Sequence, residues 1–406
     1  MGLVGIVVFA LAITASIALH EAGHMFTARA FGMRVRRFFI GFGPTLWSTT
    51  RTTKTGTTEY GIAALPFGGF CDIAGMTAMD PVTSEEAPHA MVHKPPWQRI
   101  SVLSGGIAMN LLIGIAITYF VAIFAAIPNP YADTTPRVGE TMCVADQIDA
   151  ETLADCTGEG PAGTAGVRAG DTLVAVDGNA VETFPDLRDY VVDKPGETVE
   201  LTVLRGDAEH TYPVAVEPVE RINRQTGERV TAGAVGIAAA PIEDEMKQFG
   251  PVEAVPATLN FTGQMLGATV EGIARFPSMI PGVVASVFGA ERDVDGPISV
   301  IGASRAGGEL VAQDQWAVFW IMLANLNFFL ALFNLVPLPP LDGGHIAVVL
   351  YEKIRDGFRR ARGLGPGEPV NYEKLMPLTI GMAGLLLVVG VFVMLADVVN
   401  PIRLLG

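Results

Sequence analysis

His20-Glu21-Ala22-Gly23-His24 ends an uncharged, mostly apolar run of residues 2–19. On a helix this HExxH spacing puts two imidazoles on one face, one turn apart, with a carboxylate beside them. That is how metalloproteases present two zinc ligands and a general base. With no charged side chain in residues 2–19, the motif is expected at membrane depth. Ionisable groups there are costly and usually functional. The motif and its setting together predict water-consuming chemistry within a bilayer.

The rest of the chain agrees with that setting. Its 406 residues are 50% hydrophobic and 17% charged, with a mean hydropathy of +0.40. Crossing about 30 Å of hydrocarbon takes roughly 20 residues. Four uncharged segments suffice: 2–19 completed by the HExxH turns, 101–127, 315–341 and 375–396. A signal peptide would need a basic start, and Met1-Gly2-Leu3-Val4 has none. Arg29, Arg34, Arg36, Arg37, Arg51 and Lys54 follow the first span, and Lys353, Arg355, Arg359, Arg360 and Arg362 lie between the third and fourth. The positive-inside rule makes both loops cytoplasmic and puts the termini and the long central segment outside.

Residues 130–256 hold 24 acidic and 9 basic side chains, a difference that equals the formal net charge of −15 for the whole chain. The acidity thus belongs to the exported part, and it argues against nucleic-acid binding, which wants a basic face. Cys143 and Cys156 lie in this segment. An oxidising compartment allows them to form a disulfide, but spacing alone leaves open whether they do. Cys71 is expected on the other side as a free thiol.

Within the insert, residues 166–178 read as a turn, an alternating strand and an Asp-Gly turn. A helix is expected from Phe184 to Val192 and a half-buried strand over 199–205. The order resembles a bacterial PDZ domain over about forty residues, with Val235-Gly236-Ile237 as the returning strand of a circularly permuted form. Such a domain adds a peptide strand to its edge, or serves only as a cap or size filter. Residues 252–290 carry few charges, and Val255, Leu259, Leu266, Val270 and Ile273 share one helix face. One or two helices lying on the outer membrane surface are expected there.

A catalytic zinc site takes three protein ligands. Asp342 is the candidate third. It closes the third uncharged stretch in Asn334-Leu335-Val336-Pro337-Leu338-Pro339-Pro340-Leu341-Asp342-Gly343-Gly344-His345. Three prolines and two glycines are not expected to continue a regular helix, and irregular backbone at this depth must line protein or a wet cavity. His345 is expected to be turned away by the glycines. His89, His93 and His210 lie in polar loops and are expected to be solvated. Asn325 and Asn327 either line the substrate path or bond helix to helix. Residues 57–70 alternate weakly and end in Gly68-Gly69, as a β-hairpin would. An exposed edge there could clamp an unwound peptide, with Asn334 holding it from the opposite side.

HExxH in the first span and N-x-x-P-x-x-x-x-D-G in a later one resemble the signatures of the site-2 protease family, zinc intramembrane metalloproteases. The flanking segments Gly41-Phe42-Gly43-Pro44, Tyr60-Gly61, Pro66-Phe67-Gly68-Gly69-Phe70 and Gly296-Pro297-Ile298 are similar to its bacterial branch, the regulator-of-sigma-E-protease type, and especially to single-PDZ actinobacterial members. The resemblance implies one Zn²⁺ held by His20, His24 and Asp342, with Glu21 as the base. It implies that Asn334 contacts the substrate backbone and that Asn110 is retained from the second-span motif. That motif here lacks its proline, reading Ser104-Gly105-Gly106-Ile107-Ala108-Met109-Asn110. Local repacking is expected in consequence.

The expected fold is a polytopic α-helical membrane protein with about four transmembrane helices. It carries a membrane-associated β-hairpin after the first helix and an inserted extracytoplasmic PDZ domain of α+β class. The expected parts are a first membrane half (1–127), the PDZ domain (128–245), membrane-surface helices (246–312) and a second membrane half (313–406). The expected place is a bacterial inner membrane, with the active site near the cytoplasmic side. The expected activity is zinc-dependent cleavage of single-pass membrane proteins. Resemblance suggests anti-sigma factors already cut by a site-1-type protease, and a peptide segment could dock at the PDZ domain. The alternatives are a PDZ adapter with an inactive protease core, which the intact Glu21 disfavours, and a metal transporter. A transporter would want repeated halves, and the chain has no internal repeat.

Overall fold

The computed structural model describes residues 2–77, 79–149, 152–222, 229–290, 292–293, 296–365 and 367–402. They form two compact units, Met1–Ile127 with Lys247–Gly406, and Pro128–Met246. The first unit begins with α1 (Gly2–Ala30), β1 (Val35–Thr53), β2 (Gly56–Ile73) and α2 (Pro96–Phe124), and the chain leaves it through β3 (Ile127–Pro128). The second unit holds β4 (Val138–Thr141), α3 (Gly160–Ala165), β5 (Thr172–Val176), β6 (Asn179–Ala180), α4 (Phe184–Val192), β7 (Thr198–Arg205), β8 (Ala208–Ala215), β9 (Glu217–Ile222), β10 (Arg229–Ala234) and β11 (Ile237–Ala239). Beyond β12 (Met246–Lys247) the first unit resumes with α5 (Ala254–Val287), α6 (Val300–Ala312), α7 (Trp316–Leu335), α8 (Asp342–Ala361) and α9 (Tyr372–Val399). Among the described helices, α1, α2, α7 and α9 are long and apolar enough to cross a membrane.

The helix ends follow local chemistry. α1 stops at Gly32, whose φ is +65°. The Gly32 N–H bonds the Arg29 carbonyl and the Met33 N–H bonds the Ala28 carbonyl, a Schellman closure. α2 starts at Pro96, where a missing N–H costs nothing. α7 ends ahead of Pro337. The regular helix is interrupted over 336–341, as expected, and the glycines at 343 and 344 lie just beyond the interruption. They form the first turn of α8, with Asp342 at its opening position. A Cβ on Gly343 would stand 2.3 Å from the Leu335 carbonyl oxygen, so only glycine lets α8 begin this close to the end of α7.

α1 packs against α2 along a small-residue seam. A Cβ on Gly23 would stand 2.2 Å from the Gly105 carbonyl oxygen, and one on Gly105 would stand 2.5 Å from that of Gly23. Small residues at such a crossing let two apolar helices approach closely where lipid gives them no hydrophobic reason to associate. Lower on α1, Phe9 packs edge-on against Phe319 of α7 at 5.2 Å, in a core with Ile13, Leu310 and Leu323. Ala22, Met25, Val102, Leu103, Ile107, Ile346 and Val349 form a second core that joins α1, α2 and α8.

β1 and β2 are longer than the hairpin expected, and they fold back on themselves. Thr45, Trp47 and Thr49 pair with Ala63, Ile62 and Tyr60, while Phe38, Phe39 and Ile40 have partners on both sides. On one side these are Tyr60, Gly61 and Ile62, and on the other Cys71, Phe70 and Gly69. The segment 69–73 is therefore one outer edge of this sheet, and 45–53 is the other. The helical region after the insert is a single helix, α5. Ala254, Ala257 and Phe261 at its start pack with Val121, Ala122 and Ile321, and Val283 at its end packs with Val389 and Val393 of α9. Val255, Leu259 and Val270 of the expected face are exposed.

The second unit is built on a four-stranded antiparallel sheet of order β6-β5-β7-β8. Leu173, Val176, Leu201, Val203 and Val214 of the sheet bury against Leu187 and Val191 of α4. α4 spans the expected residues, and a reciprocal capping box between Thr183 and Asp186 starts it. The strand after Gly236 does not join this sheet. β11 pairs instead with β4. A disulfide joins Cys143 to Cys156. Its loop docks on β9, where the Gln147 N–H donates to the Glu220 carbonyl and the Glu220 N–H to Asp146.

Candidate metal centre

The last three turns of α1 place His20 and His24 side by side, with ring centroids 4.9 Å apart. Asp342, 318 residues beyond His24 in the chain, reaches them from the start of α8. The His20 and His24 Nε2 atoms are 3.2 Å apart, and each lies 3.4 Å from Asp342 Oδ2. Four ligands at about 2.0–2.1 Å around a tetrahedral ion have mutual separations of about 3.3–3.4 Å. The three atoms therefore sit as three corners of such a tetrahedron, and two imidazole nitrogens with one carboxylate oxygen are a donor set that suits zinc.

The surrounding groups fit the same occupant. His24 Nδ1 lies 2.8 Å from the Val102 carbonyl oxygen, which can only accept. Nδ1 is thus a protonated nitrogen, which leaves Nε2 as the atom that would ligate a metal beside His20 and Asp342. His20 Nδ1 is buried with no hydrogen-bond partner among the described residues. Lone pairs from three groups converging at this distance require a cation or a shared proton between them. Asp342 also stands at the positive end of the α8 dipole.

A cleft of about 310 Å³ opens beside the three ligands, lined by Ile17, Glu21, Asn110, Leu330, Asn334 and Leu341 among others. Glu21 stands in its wall next to the ligands. The Cys71 backbone N–H hydrogen-bonds its carboxylate, and a Cβ on Gly69 would come within 3.4 Å of Glu21 Cγ. One outer edge of the folded sheet, with Gly68 and Gly69, therefore passes alongside Glu21. Asn110 is buried, and its Oδ1 has no hydrogen-bond partner among the described residues.

Other residues weighed from the sequence lie elsewhere. His345 is not in the ligand group. It is half-buried and stacks on Tyr372, centroids 6.0 Å apart. His89 is not solvated in a loop as expected, because its Nδ1 hydrogen-bonds the Gly32 carbonyl at the end of α1. His93 and His210 are exposed. Asn327 is fully buried and donates to Ser16 Oγ, bonding α7 to α1, while Asn325 is exposed. Cys71 is a half-buried thiol outside the ligand group.

Sequence reasoning missed Gly106. A Cβ there would stand 2.4 Å from His24 Nε2 and 2.6 Å from His20 Nε2, so α2 packs directly against both ligating atoms. The signal was a Gly-Gly pair in the middle of an apolar span, which points to close approach of another backbone or of a site.

Helices of membrane-crossing length around a His-His-Asp centre with an adjacent glutamate define a membrane metallopeptidase, and residues 8–365 match peptidase family M50. The chain belongs to that family. It is similar to zinc metalloprotease Rip1 of Mycolicibacterium smegmatis, 47% identical over 402 residues that cover 99% of this chain and 98% of that protein. Rip1 of Mycobacterium tuberculosis H37Rv is 44% identical over 410 residues, covering 100% and 99%. A putative zinc metalloprotease of Agrobacterium fabrum is 29% identical over 389 residues, 93% of each chain.

Proposed function

We propose that this chain cuts single-pass membrane proteins within or beside their transmembrane segment, using zinc held by His20, His24 and Asp342. It is a zinc metalloprotease of the site-2 type and a multi-pass membrane protein. The observation that carries the proposed site is the three-cornered ligand set, with Glu21 in the wall of the same cleft.

Zinc, when bound, supplies a Lewis acid that polarises the scissile carbonyl and makes water a better nucleophile. The chain's own groups do the rest. Glu21 takes the proton of the attacking water and returns it to the leaving amide nitrogen. A helical substrate must be unwound to expose its carbonyl, and each backbone group left bare in lipid costs several kcal/mol. The free edge at Gly68 and Gly69 offers replacement hydrogen bonds by strand addition. Asn110 and Asn334 hold the unwound backbone from the other wall.

The inserted unit is read as an extracytoplasmic PDZ domain that admits substrates already trimmed outside the membrane. Anti-sigma factors cut first by a site-1-type protease fit that description, in a bacterial inner membrane with the active site toward the cytoplasm. Full-length protein reconstituted in vesicles with a tagged single-pass substrate tests the reading. Fragment masses should place the cut inside the membrane segment, and Glu21→Gln should abolish it. Cleavage that persists in Glu21→Gln, or fragments arising only from the exported part, would overturn it. Deleting residues 130–245 should release untrimmed substrates for cutting, and failure to do so would remove the filter role.

A further inference from the structure

Apart from the ligand set, the first unit holds a buried ion pair between Arg99 and Glu352. Arg99 Nη1 donates to Glu352 Oε2 at 2.9 Å, with side chains only 10% and 11% exposed. The other carboxylate oxygen, Oε1, accepts the Val370 N–H at 2.9 Å. Such a pair is a poor source of stability, because desolvating two charges offsets most of their attraction. Its best-attested use is to set register between packed elements.

The position of this pair gives that use a target. Arg99 lies one turn before Val102 on α2, and the Val102 carbonyl orients His24. Glu352 lies on α8, whose first residue is Asp342. The face of α8 turned inward is Gly343, Ile346, Val349 and Glu352, and Ile346 and Val349 meet Val102, Leu103 and Ile107 of α2. Apolar side chains on such a seam can be exchanged at similar volume with little loss, so the seam by itself specifies register weakly. A metal site needs more, because its ligand distances must hold within about 0.2 Å. Among the described residues, the charged contact on the seam is Arg99–Glu352, and it specifies one register.

We propose that Arg99 and Glu352 are positioning residues for the metal centre: their ion pair locks α8 on α2, and so fixes Asp342 relative to His24. The inference rests on the zinc reading of the His20, His24 and Asp342 site. It concerns residues that touch neither metal nor substrate.

The test uses full-length protein in detergent. Arg99→Met, Glu352→Leu, the double apolar variant and the charge-reversed double variant Arg99→Glu/Glu352→Arg are compared with the unaltered protein. Zinc affinity is read by competition with a chromogenic chelator, ligand geometry by the visible spectrum of the cobalt-substituted protein, and folding by thermal unfolding with and without metal. The double apolar variant leaves no charge unpaired and should unfold near the native temperature. Its zinc affinity should fall about 10- to 100-fold, the usual effect of losing an outer-shell support, with a shifted cobalt spectrum. Charge reversal should restore part of both. Native affinity and spectrum in the double apolar variant would overturn the proposal. So would variants whose metal-free and zinc-loaded forms are destabilised alike, since that marks a support of the fold only. If the unaltered protein itself holds no zinc, the reading of the site fails, which is a separate outcome.

Discussion

Gly106 on α2 faces His20 on α1 so closely that a Cβ on it would stand 2.6 Å from His20 Nε2 and 2.4 Å from His24 Nε2. Both imidazoles therefore owe their placement to a missing side chain on another helix. Gly106→Ala should reduce zinc affinity by at least about 10-fold, as displaced ligands do, and activity with it. Metal content after dialysis against a weak chelator, with circular dichroism as the check on folding, measures this. Native zinc content in the variant would contradict the steric account.

Metal binding and proton transfer separate between two carboxylates. Asp342→Asn removes a ligand charge from the triangle and should lose zinc outright. Glu21→Gln keeps all three ligands, should keep near-native zinc, and should still lose about 10²- to 10⁴-fold in rate, the range for a general base. Metal analysis alongside cleavage of a membrane substrate distinguishes the two. A Glu21→Gln enzyme with native turnover would exclude the assigned proton path.

The Gly23–Gly105 crossing should be intolerant of any side chain. Gly23→Ala puts a methyl 2.2 Å from the Gly105 carbonyl oxygen, and overpacking of this kind costs about 1–3 kcal/mol. A lowered unfolding temperature in detergent is the expected reading. Because the same crossing carries α2 to the ligands, zinc affinity should fall in parallel.

In the second unit Asp171 is 1% exposed and accepts from Arg205 Nε and Nη2 at 2.7 Å each and from the Arg168 N–H at 2.8 Å. Burial by itself would raise its carboxyl, but those hydrogen bonds and the Arg205 charge outweigh burial and hold it below the ordinary carboxylate range. A lowered folded-state value stabilises the fold above the unfolded pKa of about 3.9 and is lost as the pH falls through the folded value. Asp171→Asn should thus destabilise this unit at pH 7. The gap to the unaltered protein should close only below about pH 4. A gap independent of pH would mean that packing, not charge, dominates.

Cys143 and Cys156 are 13 residues apart. Closing a loop of about 15 residues is worth roughly 3 kcal/mol in the chain-entropy account. Reduction, or Cys143→Ser, should increase proteolytic nicking between them and spare the cleft. No change in nicking would show that the Gln147 and Asp146 bonds to Glu220 hold the loop unaided.

Much of this protein was legible in one dimension because its information is local. HExxH works through helix periodicity, apolar runs announce membrane length by their number of residues, and the Phe184–Val192 helix carries its own capping box. Asp342 could be singled out because a lone carboxylate amid apolar residues needs a partner. Tertiary structure alone decided what depends on which distant segments meet. It brought Asp342 to 3.4 Å from both imidazoles and made Gly343-Gly344 the first turn of α8. It folded β2 so that residues 69–73 form an edge beside Glu21. It set Gly106 against the ligating nitrogens and bonded Arg99 to Glu352, 253 positions away. Side-chain spacing along a chain fixes faces and periods, but no local rule states which face meets which. Burial and close packing settle that only when the whole chain is in place.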